Sequence, residues 1–229
     1  MSDGDRGVSD GARPASDPTG ETVELADPTA RRVEVITAGH LADEAGARRG
    51  LSDASALVRS AAIGALARMK ALGTQEVVDA LADPSPTVRR RAGTEAAGVG
   101  GRGSRSVLVT ALIAALDDPD PLVVESAAWS LGERRSVRAV GRLAEVARSH
   151  GDTRCREACV AALGAVGAAE ALPAILDALS DKPTVRRRAA VALAAFDGPD
   201  VEAALQRCAH DHDWQVREVA EILLDPPTR

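Results

Sequence analysis

One interval constrains this chain more than any other feature. A stretch like Leu179-Ser-Asp-Lys-Pro-Thr-Val-Arg-Arg-Arg-Ala-Ala-Val-Ala-Leu193 returns along most of the sequence. Aligned on the residue before its first Arg, the copies fall at Val58, Val88, Val123, Cys155, Val185 and Val216, with steps of 30, 35, 32, 30 and 31 residues. A period of that size belongs to stacked repeats, each too small to bury an apolar face alone. We call these six positions the anchors.

Four residues after each anchor stands Ala62, Ala92, Ala127, Cys159, Ala189 or Ala220, and eight after it Leu66, Ala96, Leu131, Leu163, Leu193 or Leu224. Spacing of four and eight marks one face of a helix. The second residue after the anchor is polar every time: Ser60, Arg90, Glu125, Glu157, Arg187 and Glu218. This side of the helix is expected to meet water. Helical pairs are predicted over 33–50 with 55–69, 73–82 with 86–98, 104–116 with 121–132, 136–148 with 153–165, 168–180 with 183–195 and 199–209 with 213–224. No stretch alternates with period two for long enough to argue a strand.

Acids precede the anchors at Asp53, Asp83, Asp118, Asp181 and Asp211, where they can cap helix amides. One residue after the anchors come Arg59, Arg89, Arg156, Arg186 and Arg217, with Val124 as the exception. An Arg there can reach an Asp of an adjoining turn, making a structural ladder between units.

The pattern Leu-x-Asp-x-x-x-x-Val-Arg-x-x-Ala-x-x-x-Leu resembles the HEAT repeat, in the short HEAT-like form named after phycobilisome lyases, over about residues 33–224. The resemblance implies an all-α fold, a right-handed α-solenoid of about six helix pairs whose second helices line the concave side. It leaves function open, since scaffolds, lyases, hydroxylases and glycosylases share such folds.

Residues 1–30 are rich in Asp, Gly, Ser, Pro and Thr and read as a disordered acidic tail, with 31–229 as the repeat domain. The tail holds seven acids against Arg6 and Arg13, nearly the whole net charge of −6, so the repeats are close to neutral. No signal-like or membrane-length apolar run occurs, and a cytoplasmic protein is expected. Cys155, Cys159 and Cys208 fall on inward faces, as reduced core thiols do.

The glycine stretch 98–103 lacks the Gly-Lys-Ser/Thr ending and a preceding strand, so it reads as a long interhelical loop. His210 and His212 stand in a polar turn with Asp211 and Asp213, too close together to converge on a metal without a third element. Deoxyhypusine hydroxylases, which resemble this architecture, use His-Glu dipeptides for iron, and this chain has none. Bilin lyases need a groove for a large planar ligand, and two Trp, one Phe and no Tyr make that an alternative reading. Arg89 to Arg91, Arg186 to Arg188, and Arg102, Arg105, Arg134, Arg135, Arg138 and Arg142 keep a nucleic-acid module as a second alternative. Against it, Glu125, Glu157 and Glu218 interleave with the cations.

Trp129 lies six residues after its anchor, off the core face, where the other units carry Gly64, Thr94, Ala161, Val191 and Ile222. Two placements are open for it, a binding anchor on the concave surface or packing over the neighbouring unit. Trp214 is expected to seal the start of the last helix. The sequence therefore points to a non-catalytic scaffold without cofactor or metal. It binds a protein partner through Trp129, with Arg90, Arg91, Arg187 and Arg188 as positive contacts and Glu125 and Glu157 between them.

Overall fold

The computed structural model describes residues 27–100 and 105–225, with thirteen α-helices and no strand among them. α1 (Pro28–His40) precedes six pairs. They are α2 (Glu44–Arg49) with α3 (Ala56–Arg68), α4 (Thr74–Leu81) with α5 (Pro86–Glu95), and α6 (Arg105–Ala114) with α7 (Pro121–Glu133). Then follow α8 (Val140–Ser149) with α9 (Thr153–Val166), α10 (Leu172–Ala178) with α11 (Pro183–Ala192), and α12 (Pro199–Cys208) with α13 (Trp214–Leu224). The expected tail lies outside the described residues up to Ala26, and its last three residues are the first turn of α1.

The first unit departs from expectation. Residues 33–50 are not one outer helix but the end of α1, a turn and the short α2. α1 packs on α3 in the row formed by the second helices. Its sequence explains this: Pro28-Thr29-Ala30-Arg31-Arg32 repeats Pro86-Thr87-Val88-Arg89-Arg90 and Pro183-Thr184-Val185-Arg186-Arg187. α1 thus has the sequence and the packing of a second helix.

The core is made by the anchors and their fourth and eighth successors. Val58, Ala62 and Leu66 on α3, and Cys155, Cys159 and Leu163 on α9, are buried. Small residues set how closely the inner helices approach. A Cβ built on Gly39 would stand 2.7 Å from the Ala65 Cβ, one on Gly132 3.0 Å from the Ala162 Cα, and one on Gly164 2.7 Å from the Ala192 Cβ. The row from α1 through α3, α5, α7, α9 and α11 to α13 is therefore the tighter layer, and the tighter layer of a curved stack is its concave side.

Both ends of the row carry a charge where inner units bury a small or apolar residue. Glu34 occupies the position of Ala62 and its equivalents, and Glu221 that of Ile63, Gly93, Ala128, Val160 and Ala190. Both are exposed, so each end helix turns a carboxylate outward.

After α1, α3, α7 and α9 the chain reverses through one left-handed residue, twelve after the anchor: Ala42 at φ 58°, Lys70 at 57°, Arg135 at 47° and Gly167 at 65°. A side chain costs about 1–2 kcal/mol in that conformation, while glycine loosens the unfolded chain by about 0.5–1 kcal/mol. Lys70→Gly is expected to stabilise the fold by roughly 0.5 kcal/mol, raising the melting temperature by about 1–2 °C. Thermal unfolding followed by circular dichroism checks this; an unchanged or lower midpoint counts against the strain.

Candidate functional site

Two surfaces are built from repeated polar positions, an interhelical ladder at one edge and a groove on the concave face. In the ladder each Arg forks onto the Asp of the following turn. Arg59 Nε and Nη2 both stand 2.8 Å from the two carboxylate oxygens of Asp83. Arg89 meets Asp118 at 2.6 and 2.9 Å, Arg156 meets Asp181 at 2.6 and 2.8 Å, and Arg186 meets Asp211 at 2.9 and 2.8 Å. Arg31 on α1 adds a rung to Asp53 that the sequence reading did not contain. Each of these Asp residues also accepts a backbone N–H within its own turn, as Asp118 does from Asp120.

The Asp residues thus shape the turn and bind the neighbouring unit; they do not cap the helices, as the sequence suggested. Capping falls to Asp43, Asp120, Asp152 and Asp213. At the end of the ladder, Arg217 donates to the carbonyls of Asp211 and His212, and no following described unit offers it a carboxylate.

The ladder breaks once. Val124 replaces the Arg, and the matching Asp position holds His150, whose Nδ1 accepts the Asp152 N–H at 3.0 Å just as an Asp oxygen does elsewhere. The two replacements go together: a buried Val124 offers nothing to a carboxylate, and the ring nitrogen accepts the turn's N–H in its place.

The rungs set the acid–base behaviour. Guanidinium hydrogen bonds hold Asp53, Asp181 and Asp211 below the usual carboxylate range, against some desolvation. For Asp83 and Asp118 burial is the largest influence and pulls upward. Arg59 and Arg89, with the backbone amides of Ser85 and Asp120, outweigh it, so both are also lowered.

On the concave face a groove of about 600 Å3 crosses α5, α7, α9 and α11. Its wall is Trp129, 48% exposed. Along α7 the residues Glu125, Trp129 and Glu133 follow at intervals of four, one stripe of the helix. The facing surface of α9 is Ala158, Ala161, Ala162 and Ala165, smooth enough to leave one side of the indole open. Charge enters as Arg90, Arg154 and Arg188 against Glu125, Glu133 and Glu157, a balanced set. Arg188 lies 3.3 Å from Glu157 and Arg154 4.0 Å from Glu125, whereas Arg90 and Glu133 make no ion pair among the described residues.

Of the residues expected to meet a partner, Trp129, Arg90, Glu125, Glu157 and Arg188 share this groove; Arg91 and Arg187 do not line it. Arg91 lies across α3, with its guanidinium where a Cβ of Gly64 would stand, and pairs with Glu95 at 3.0 Å. Arg187 turns toward α13, hydrogen-bonding Gln215 and standing 3.4 Å from Asp213. The reading missed Arg154 and Glu133; for Glu133 the stripe through Trp129 was the available signal.

The model of the family described as HEAT repeats matches residues 74–164 and 142–225, most of the chain. The chain belongs to the HEAT-repeat family. Among solved structures, this HEAT-repeat protein is similar to YibA of E. coli, with 18% identity, a TM-score of 0.63, and coverage of 93% of this chain and 76% of that one. The CpcE–CpcF complex of phycocyanin lyase from Nostoc sp. PCC7120 aligns at 26% identity, with a TM-score of 0.58 and coverage of 77% and 74%. A designed armadillo repeat protein in complex with the peptide (KR)4 aligns at 17% identity, with a TM-score of 0.53 and coverage of 87% and 98%. No curated protein matches the sequence.

The three thiols of the HEAT units are not poised as nucleophiles. Burial pushes the Cys155 thiol up to about 11 and the Cys159 and Cys208 thiols upward as well, the opposite of what a nucleophile needs. Among the described residues no three His, Cys, Asp or Glu side chains gather as a metal site, and no helix is long and apolar enough to cross a membrane. The glycine stretch runs partly outside the described residues, and a short helical turn, Ala96–Gly98, leads into it.

Proposed function

We propose that this HEAT-repeat protein is a non-catalytic scaffold that holds a segment of another protein in the concave groove beside Trp129. The observation that carries the reading is an indole left half exposed against a floor of alanines, in a groove whose charges cancel. Large exposed aromatics in a recess are where binding energy concentrates. A balanced set of three Arg and three Glu suits a peptide of mixed charge better than a polyanion, which needs a run of uncompensated cations. The CpcE–CpcF structure, at 26% identity, is itself a complex of two chains, in keeping with a protein partner.

The same neighbour keeps one enzymatic reading in view, attachment of a bilin. With one aromatic residue lining the groove, a planar tetrapyrrole has a single stacking surface there.

The test compares immobilised wild-type chain with Trp129→Ala in capture from the native lysate. A stoichiometric protein is expected to stay on the wild type through moderate salt and to bind Trp129→Ala roughly thirtyfold more weakly, as loss of about 2 kcal/mol implies. Equal retention by both overturns the placement. Nucleic acid lost steeply with rising salt puts the nucleic-acid module ahead, and a co-purifying visible chromophore does the same for the bilin reading.

A further inference from the structure

Trp129 is not an isolated apolar residue. The sixth position after the anchor is Trp129 on α7, Ala161 on α9, Val191 on α11 and Ile222 on α13. Trp129, Val191 and Ile222 are 48%, 47% and 52% exposed. On the upstream helices the same position is Gly64, lying under Arg91, and the polar Thr94. An apolar row therefore begins at Trp129 and crosses four consecutive inner helices, at a position off the core face and open in part to solvent.

The spacing of the row restricts the shape that can follow it. Packed helices stand about 8–10 Å apart. A polyproline-II segment returns a side chain to the same side every three residues, about 9.3 Å. A strand does so every two, about 6.6–6.8 Å, and an α-helix after one turn at about 5.4 Å or two at about 10.5 Å. The three-residue repeat falls within the interhelical spacing, and the others drift out of register over three steps. Polyproline-II also leaves its carbonyls unpaired, and the Trp129 indole N–H has no acceptor among the described residues, so one can donate to the other.

Charge beside the row adds a second restriction. Glu157 is tied to Arg188, and Glu125 faces Arg154. Glu133, one turn beyond Trp129, and Glu218, one turn before Ile222, make no ion pair among the described residues. The neighbouring cation Arg187 is engaged by Asp213 and Gln215. Among the described residues between α7 and α13, the charge left unpaired beside the row is thus negative, and the unpaired cation Arg90 stands on α5, before the row begins.

We propose that the partner segment is a polyproline-II strand of about ten residues, apolar at every third position and basic between. It lies across α7, α9, α11 and α13. This rests on the scaffold reading above and gives that partner a sequence pattern.

The probes are the peptide Leu-Pro-Arg-Leu-Pro-Arg-Leu-Pro-Arg-Leu and a peptide of identical composition with its Leu residues out of the three-residue repeat. Trp129 fluorescence reports binding in a Trp214→Phe background, since Trp214 is exposed at the start of α13, off the row. The periodic peptide is expected to bind at least about tenfold more tightly than the scrambled one. Val191→Asp and Ile222→Asp, at exposed sites where circular dichroism should stay unchanged, should each weaken it about tenfold.

Equal affinity for the two peptides, or indifference to both Asp variants, overturns the three-residue pattern. If Trp129→Ala still releases the captured protein, the scaffold reading survives that result. Failure of both peptides to bind, together with equal capture by wild type and Trp129→Ala, overturns the two together.

Discussion

Gly164→Ala is expected to lower the melting temperature of this protein, and Gly141→Ala to raise it. Alanine is the better helix former by about 1 kcal/mol, so the bare substitution favours both. Gly141 stands in α8 with nothing within 4 Å of a built Cβ, and there the preference acts unopposed. On α9, a Cβ at Gly164 would lie 2.7 Å from the Ala192 Cβ and 3.0 Å from its Cα. Neither atom belongs to a flexible side chain, so the strain must be relieved by moving α11 as a body. Overpacking of this kind costs about 1–3 kcal/mol, more than the propensity gained, and the net sign reverses. Gly164→Val adds two methyls to the same contact and should cost roughly 3 kcal/mol, about 6–12 °C. Because each unit touches only its neighbours, the damage also weakens coupling across the α9–α11 joint. Thermal scans of the three variants decide the matter; a rise for Gly164→Ala equal to that for Gly141→Ala would show that the inner helices are free to separate.

The same close contacts explain how much of the fold the sequence revealed. Periodic anchors expose pairing and order because every inner helix must bury the same face, and the ends of the pairs from α4 to α13 fall within a few residues of expectation. α1 escaped because it is the first described helix of the row and its anchor and fourth positions are not buried apolar residues. With Ala30 at the anchor and Glu34 at its fourth successor, a template built on buried positions fails where burial stops, although Pro28 and Arg31 still carry the turn and the rung.

Side-chain direction was harder to read than backbone. Arg91 and Arg188 occupy equivalent positions yet diverge. Gly64 leaves a space into which Arg91 lies, while the corresponding Ala161 closes it and Arg188 goes instead to Glu157. Arg187 shares its position with Arg90 but finds Gln215 and Asp213 within reach. Trp129 was legible from its angle on the helix. Its groove was not, because the alanines of α9 that make the floor look like ordinary packing residues.

Acid should unfold the array from its ladder. Five Asp residues, Asp53, Asp83, Asp118, Asp181 and Asp211, sit below their ordinary 3.8 in the folded chain. A carboxylate with a depressed folded value stabilises fully above its unfolded value and loses that contribution as pH falls through the folded one. The melting temperature is therefore expected to be flat above about pH 5 and to fall steeply below about pH 4.

Asp118, 8% exposed and held by two Arg89 bonds, is the most enclosed of the five. Asp118→Asn removes a charge-assisted pair and should cost about 1.5–3 kcal/mol at neutral pH. It should also make the acid limb shallower, since one fewer proton is taken up on unfolding. An acid limb of unchanged slope would place its origin outside the ladder.

The joint between α7 and α9 should behave differently, because Val124 and His150 stand there in place of a rung. That joint is held by Gly132 against Ala162 and by the densest helix contact in the array. Acid can take from this joint only the long Arg154–Glu125 pair and the Asp152 N–H bond to His150 Nδ1, and the apolar packing remains. In hydrogen exchange near pH 3, α7 and α9 should accordingly keep their protection longest, while α1 and α13 lose it first. Uniform loss along the stack would mean that the units melt together, whatever holds each joint.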